Sequence, residues 1–143
     1  MPSHVRSRQS TASPQQIWTL WSDTSTWPRW NPDVLSATLD GPFASGTTGT
    51  MRTKAGGQHR IRLTLVEPGR RFHLETAPAP LSTFTFECEV APGANGGSRI
   101  SQGVAMRGPL GWLFSAMMGE RIADSFRPLL DGLATHAEAS ARA

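Results

Sequence analysis

The sequence contains no tyrosine, a single cysteine, Cys88, and a single lysine, Lys54. Without tyrosine, one common general acid is missing from any catalytic site the chain could build. With one cysteine no internal disulfide can form, which points to a reducing, cytoplasmic home. No apolar run approaches the roughly 18 residues of a membrane span, and the N-terminus lacks the apolar core of a signal peptide. Metal-ligand spacing is missing too: His4, His59, His73 and His136 stand far apart, with no His-Glu-x-x-His, Cys-x-x-Cys or acidic cluster. Neither a metal nor a cofactor is therefore expected. "GTTGT" lacks the lysine and helix of a phosphate loop, and Gly-x-Ser-x-Gly does not occur.

Charge of one sign is also scarce. Fourteen basic residues against eleven acidic ones leave a net +3, and thirteen of the fourteen are arginine, which lifts the pI to 10.4. No helix-turn-helix, RNP or zinc-finger spacing accompanies that small excess, so nucleic-acid binding is not expected. What the chain does have is aromatic bulk, five Trp and six Phe in 143 residues. That length suits one domain over 1–143, able to form a hydrophobic core without metal or disulfide staples. No internal repeat interrupts it.

Residues 1–8 read either as a frayed end or, through "SHVRSRQS", as a first edge strand. "SPQQIWTLWSD" predicts a helix, with Ser13 as N-cap, Pro14 at the first helical position, and Ile17, Trp18, Leu20 and Trp21 on one face. A second helical turn, "TSTWPRW", closes at Asn31-Pro32, because the residue before proline avoids the helical region. Strands follow up to about residue 107. Ile61, Leu63 and Leu65 alternate with Arg60, Arg62 and Thr64; Phe72, Leu74 and Thr76 with Arg71, His73 and Glu75; Phe84, Phe86, Cys88 and Val90 with Thr83, Thr85, Glu87 and Glu89. Ile100, Gln102, Val104 and Met106 share the inner face of the last strand. From residue 110, apolar residues three and four apart, from Met118 to Ala137, predict one long amphipathic helix, kinked where Pro128 removes a hydrogen bond. A curved antiparallel sheet of six to seven strands has one apolar face to cover, and only this helix is long enough to do it. The expected class is α+β, a sheet gripping a helix.

The segments "SPQQIWTLWSDTSTWPRWNPDV", "GPFASGTTGTMRT", "LVEPGRRFHLET" and "ERIADSFRPLLDGLATHAE" resemble the START-like (SRPBCC) superfamily, in its polyketide cyclase/dehydrase and lipid-transport branch. The resemblance spans residues 10–140. It implies the helix-grip fold, with a deep, mostly apolar cavity between concave sheet and terminal helix, its mouth framed by the short helices and hairpin loops. It does not fix a function, because this fold hosts cyclases, dehydratases and lipid carriers alike.

On that reading the cavity would bind a small hydrophobic molecule, aromatic, polyketide-like or lipid-like. Its apolar walls would come from Phe72, Phe84, Phe86, Val104, Met106, Met118, Ile122 and Phe126. Trp27 and Trp30 are the tryptophans best placed for ligand contact, whereas Trp18 and Trp21 read as core. Gln102 interrupts an apolar face; a buried amide needs partners at both ends, either backbone and water or a ligand. Arg121 and Ser125, four apart, share a helix face. Arg121 would either reach a bound carboxylate, enol or phenolate, or pair with Glu120, Asp124 or a strand carboxylate. Cys88 reads as inert packing. Arg52, Arg60, Arg62, Arg70, Arg71 and Arg99 are expected on the convex face, paired with Glu75, Glu87 and Glu89.

Two other functions stay open. One is a cyclase or dehydratase using the same cavity, which needs an acid or base within it. The other is a protein-interaction module with a filled cavity. The uncharged stretch 108–119, with Trp112, Leu113, Phe114, Met117 and Met118, would serve as core, as a cavity lip, or as a surface for transient membrane contact. A homodimer is compatible with the sequence.

Overall fold

The computed structural model describes residues 4–54, 57–79 and 82–142. Seven antiparallel strands form one curved sheet in the order β1-β7-β6-β5-β4-β3-β2. They are β1 (His4–Ser10), β2 (Val34–Leu39), β3 (Thr48–Thr53), β4 (Gly57–Glu67), β5 (Arg71–Ala79), β6 (Ser82–Pro92) and β7 (Ser98–Arg107). Consecutive strands from β2 to β7 are neighbours, and β1 closes the far edge by pairing with β7. The segment from His4 is thus a strand, while residues 1–3 lie outside the described residues.

α1 (Pro14–Trp21) begins where its sequence dictates. The Ser13 hydroxyl accepts from the Gln16 amide at 3.2 Å and the Gln16 side chain accepts from the Ser13 amide at 2.8 Å, a complete capping box. A 3₁₀ turn (Thr24–Thr26) leads into α2 (Trp27–Trp30), and Asn31, extended at φ −107° and ψ 110°, ends it ahead of Pro32. Residues between β1 and β2 therefore fold back over one end of the sheet.

The terminal helix comes in two lengths, α3 (Gly111–Asp124) and α4 (Phe126–Arg142). The break is at Ser125, three residues before the proline expected to cause it. Pro128 has no N–H to give the Asp124 carbonyl four residues back, and its ring crowds that carbonyl. Ser125 absorbs the change: its N–H bonds the carbonyls of Arg121 (3.2 Å) and Ile122 (3.1 Å), and its hydroxyl donates to Ile122 at 2.5 Å.

Ile17, Trp21, Leu63, Ile100, Val104, Leu130 and Leu133 are fully buried between sheet and helices. Close approach of α4 depends on Gly132, where a Cβ would run into the Trp30 carbonyl. As expected, outer arginines lie across from glutamates, Arg62 opposite Glu75 and Arg71 opposite Glu89. The close ion pairs are with other carboxylates, Arg71 with Glu67 at 2.7 Å and Arg60 with Asp40 at 3.2 Å. Glu67 and Arg71 face each other at the start of the β4–β5 hairpin, which brings them together before any longer cross-strand reach is needed.

Candidate functional site

The concave face carries a row across three strands. Phe72 on β5 pairs with Cys88 on β6, and Cys88 pairs with Gln102 on β7. Beside it Leu74 pairs with Phe86. A cavity of about 240 Å³ lies over these residues. Trp27 and Trp30 of α2 bound it on one side, and Ile122, Phe126 and Leu129 from either side of the helix break bound it on the other. The Phe86 and Phe126 rings, 6.1 Å apart and edge-on, bridge sheet to helix. Exposed Asp33 and Ser125 with half-buried Asn31 and Thr53 form the rim.

Phe72 is the hub of the aromatic wall. It meets Trp21 edge-on at 5.4 Å, Phe43 at 5.2 Å, Trp18 at 6.3 Å, and stacks on Trp27 at 6.2 Å. Trp27 and Trp30 are pinned through their indole N–H groups: Trp27 donates to the Trp21 carbonyl and Trp30 to the Thr26 hydroxyl, both at 3.0 Å. Their positions are fixed before anything enters, so this wall is preformed. The Trp-x-x-Trp segment is both a packing corner and a cavity wall.

Polar atoms inside are few. Gln102 is 7% exposed and lines the cavity. Trp21 is fully buried, and its Nε1–H has no hydrogen-bond partner among the described residues. The Cys88 thiol is pushed far up, first by burial and then by the nearby Glu87 charge, so it stays protonated and a poor nucleophile. No group of His, Cys, Asp and Glu suited to a metal occurs among the described residues.

Of the residues singled out in the sequence, Trp27, Trp30, Phe72, Phe86, Gln102, Ile122 and Phe126 are brought together around the cavity. Phe84, Val104, Met106 and Met118 are not among its lining residues: Phe84 and Val104 are buried core, with Met106 and Met118 packed against it. Arg121 is exposed and outside the lining. The stripe Ile122–Phe126–Leu129 faces the sheet, which turns Arg121 to the flank. Glu120 and Asp124, two of the partners considered for Arg121, are held instead by Arg6 of β1, at 2.6 and 2.9 Å. The stretch 108–119 is divided: Met118 is packed inward, while Trp112 is 71% and Met117 67% exposed, and the Phe114 side chain lies outside the described residues.

Sequence reasoning missed Trp21, Val34, Met51 and Leu129 as wall and Asn31, Asp33 and Thr53 as rim. Met51 was discoverable, since it alternates with the exposed Arg52. The rim residues converge from α2, β2, β3 and the helix break, and no local pattern announces that.

Several comparisons bear on this geometry. The protein XoxI from Bacillus cereus superposes with a TM-score of 0.77 at 17% identity, over 96% of this chain and 96% of that one. Ara h 8.0201 gives 0.67 at 13% identity, over 94% and 96%. A truncated norcoclaurine synthase from Thalictrum flavum gives 0.65 at 14%, over 91% and 89%. At such identities the likeness establishes the START-like helix-grip fold. No curated protein matches the sequence. The family model described as "Polyketide cyclase / dehydrase and lipid transport" matches residues 1–138, nearly the whole length, and the chain belongs to that family.

Proposed function

We propose that this protein binds a small, largely hydrophobic molecule in the cavity between its sheet and terminal helix. The observation that carries the reading is a preformed, mostly apolar cavity of about 240 Å³ with the Gln102 side chain in its wall. Ligand sites of this kind combine apolar walls with a few placed polar groups. Trp27, Trp30, Phe72, Phe86, Ile122 and Phe126 would contact the ligand, and Gln102 would orient it.

Native mass spectrometry of the purified protein, followed by denaturing extraction, tests this. A stoichiometric passenger, lost in Cys88→Phe where a ring would occupy the cavity, is the expected result. No passenger, and no thermal shift with lipids, quinones or aromatic polyketides, would end the proposal.

A cyclase or dehydratase activity draws support from the family and from the likeness to a norcoclaurine synthase. Such chemistry needs an acid or base at the ligand. Among the described residues, the ionisable side chains lining the cavity are Asp33, on its rim, and Cys88, held protonated, which favours binding without reaction. Exposed Trp112 and Met117 favour α3 as the surface for a homodimer or transient membrane contact. Sedimentation and vesicle flotation of Trp112→Ser, Met117→Ser against the unaltered protein would test that. No helix among the described residues is long and apolar enough to cross a membrane.

A further inference from the structure

Outside the cavity, three side chains stand in the order of a nucleophile, its base and the group that orients the base. The Ser115 hydroxyl of α3 lies 3.0 Å from Nε2 of His4, and Nδ1 of the same ring lies 3.0 Å from a Glu120 carboxylate oxygen. None of the three lines the cavity. They meet because β1 runs beside α3, although His4 is more than a hundred residues from the other two.

The chemistry of the groups sets the direction of both bonds. Arg6 holds the other Glu120 oxygen at 2.6 Å, and together with His4 it keeps the carboxyl below its ordinary value. Glu120 is therefore ionised at neutral pH and can only accept. Nδ1 then carries the proton of the neutral imidazole, Nε2 is left as an acceptor, and the Ser115 hydroxyl donates to it. In that alignment an imidazole can remove a serine proton.

The surroundings suit a reaction. Gly119 makes room for His4, since a Cβ there would run into the imidazole. The His4 side chain is 14% exposed and Ser115 is half-buried, so their hydrogen bond is sheltered while the hydroxyl stays near solvent. Trp112, three residues before Ser115 and next to it on the helix surface, is 71% exposed and offers an apolar face to a substrate. α3 also begins without a side-chain cap at Leu110. Cα–Cβ bonds tilt towards a helix's N-terminus, so Ser115 leans towards first-turn amides and a positive dipole end that favour a developing oxyanion.

We propose that Ser115, His4 and Glu120 form a second functional site, an esterase centre for small apolar esters. Ser115 Oγ bonds to the acyl carbon while His4 Nε2 takes the hydroxyl proton. The bond from the acyl carbon to the alcohol oxygen breaks, and the alcohol leaves with that proton. Water then gives a proton to His4 and its oxygen to the acyl carbon. The bond to Ser115 breaks, Ser115 recovers the proton, and the carboxylic acid is released. Glu120 stays ionised throughout and holds the ring in its tautomer. The site is independent of what the cavity binds.

The full chain is treated with a fluorophosphonate, which bonds covalently to activated serines, and mapped by peptide mass spectrometry. Turnover is read with p-nitrophenyl acetate and butyrate at neutral pH. Ser115 should be labelled, and the label should be lost in His4→Gln. The value of kcat/KM should fall at least about a hundredfold in Ser115→Ala and His4→Gln. In Glu120→Gln kcat should fall about tenfold or more with KM unchanged, because only the ring's orientation is lost. Gly119→Ala, which displaces His4 but keeps all three groups, should also lower kcat. Trp112→Ser should instead raise KM and erase a preference for butyrate over acetate. A surface histidine can attack p-nitrophenyl esters unaided, so activity that survives in Ser115→Ala would overturn the proposal. So would an unlabelled Ser115 in the unaltered protein, a result that needs no variant to fold. Labelling without turnover would leave a reactive serine and overturn the esterase assignment.

Discussion

The terminal helix is held on two flanks, and the two are chemically unlike. Towards α1 and α2 the contact is apolar: Leu129, Leu130, Leu133 and Phe126 are buried, and Gly132 admits the Trp30 carbonyl against the helix. Towards β1 it is a ladder of charge. His4 and Arg6 meet Glu120 at 3.0 and 2.6 Å, Arg6 meets Asp124 at 2.9 Å, Arg8 meets Asp131 at 3.0 Å, and the Ser10 hydroxyl donates to Glu138 at 2.8 Å. Alternate residues of a strand thus meet carboxylates progressively further along the two terminal helices. The apolar flank supplies the stabilisation, since buried aromatic and aliphatic area stabilises strongly while exposed ion pairs contribute little. Directional bonds contribute something burial cannot, a fixed position of the helix along the strand. The cavity lies on the apolar flank, where rings do not fill all the space.

The sharpest way to break this comparison is Phe72→Ala. It removes the hub of the aromatic flank and should destabilise the protein by about 3–5 kcal/mol in a urea titration. A loss no larger than that of an exposed substitution would mean that the flank does not carry the fold. Gly132→Ala comes next. A Cβ there meets the Trp30 carbonyl, so helix or α2 must shift, at about 1–3 kcal/mol. Because Trp30 and the neighbouring Leu129 both line the cavity, ligand affinity should fall as well. Unchanged stability with unchanged binding would show that the helix has slack on this side. Ser13→Ala, which removes the cap that starts α1, should cost about 1 kcal/mol; it loosens the apolar flank without touching a cavity residue, so affinity should follow stability only weakly.

The two flanks were not equally legible in the sequence. The apolar one could be read, because strand alternation placed Phe72, Phe86 and Gln102 inward and helical spacing placed Ile122 and Phe126 over them. Alternation has no sense of position along the sheet, however. It put Phe84, Val104 and Met106 on the same face without showing that they lie beyond the cavity, among the packed core. Trp21 looked like core and is core, yet one face of a buried ring can still be wall. The charged flank was hidden. His4, Arg6 and Arg8 sit in a polar N-terminal segment that reads equally as frayed chain, and their partners are more than a hundred residues away. Charge complementarity becomes visible only once β1 is paired with β7. For the same reason Glu120 and Asp124 looked open to Arg121, when a distant Arg6 holds both.

The ladder makes the smallest prediction, and its sign follows from the chemistry. The Glu120 carboxyl is held below its ordinary value of 4.5, chiefly by the Arg6 hydrogen bond and then by that to His4. A carboxyl whose folded pKa is depressed binds fewer protons folded than unfolded. Its contribution is therefore fully present above about 4.5 and is lost as pH falls through the lower, folded value. Glu67, held by Arg71, and Asp40, held by Thr48 and Arg60, bend the curve the same way, so the informative quantity is a difference between two proteins. Glu120→Gln should be slightly less stable than the unaltered chain at neutral pH, and the gap should close on acidification below the ordinary carboxyl range. It should also narrow in about 1 M salt, where the Debye length is about 3 Å. Thermal melts of both proteins across that window give the answer. Parallel curves would mean that the ladder leaves stability untouched, and its role would then be confined to setting where the helix sits.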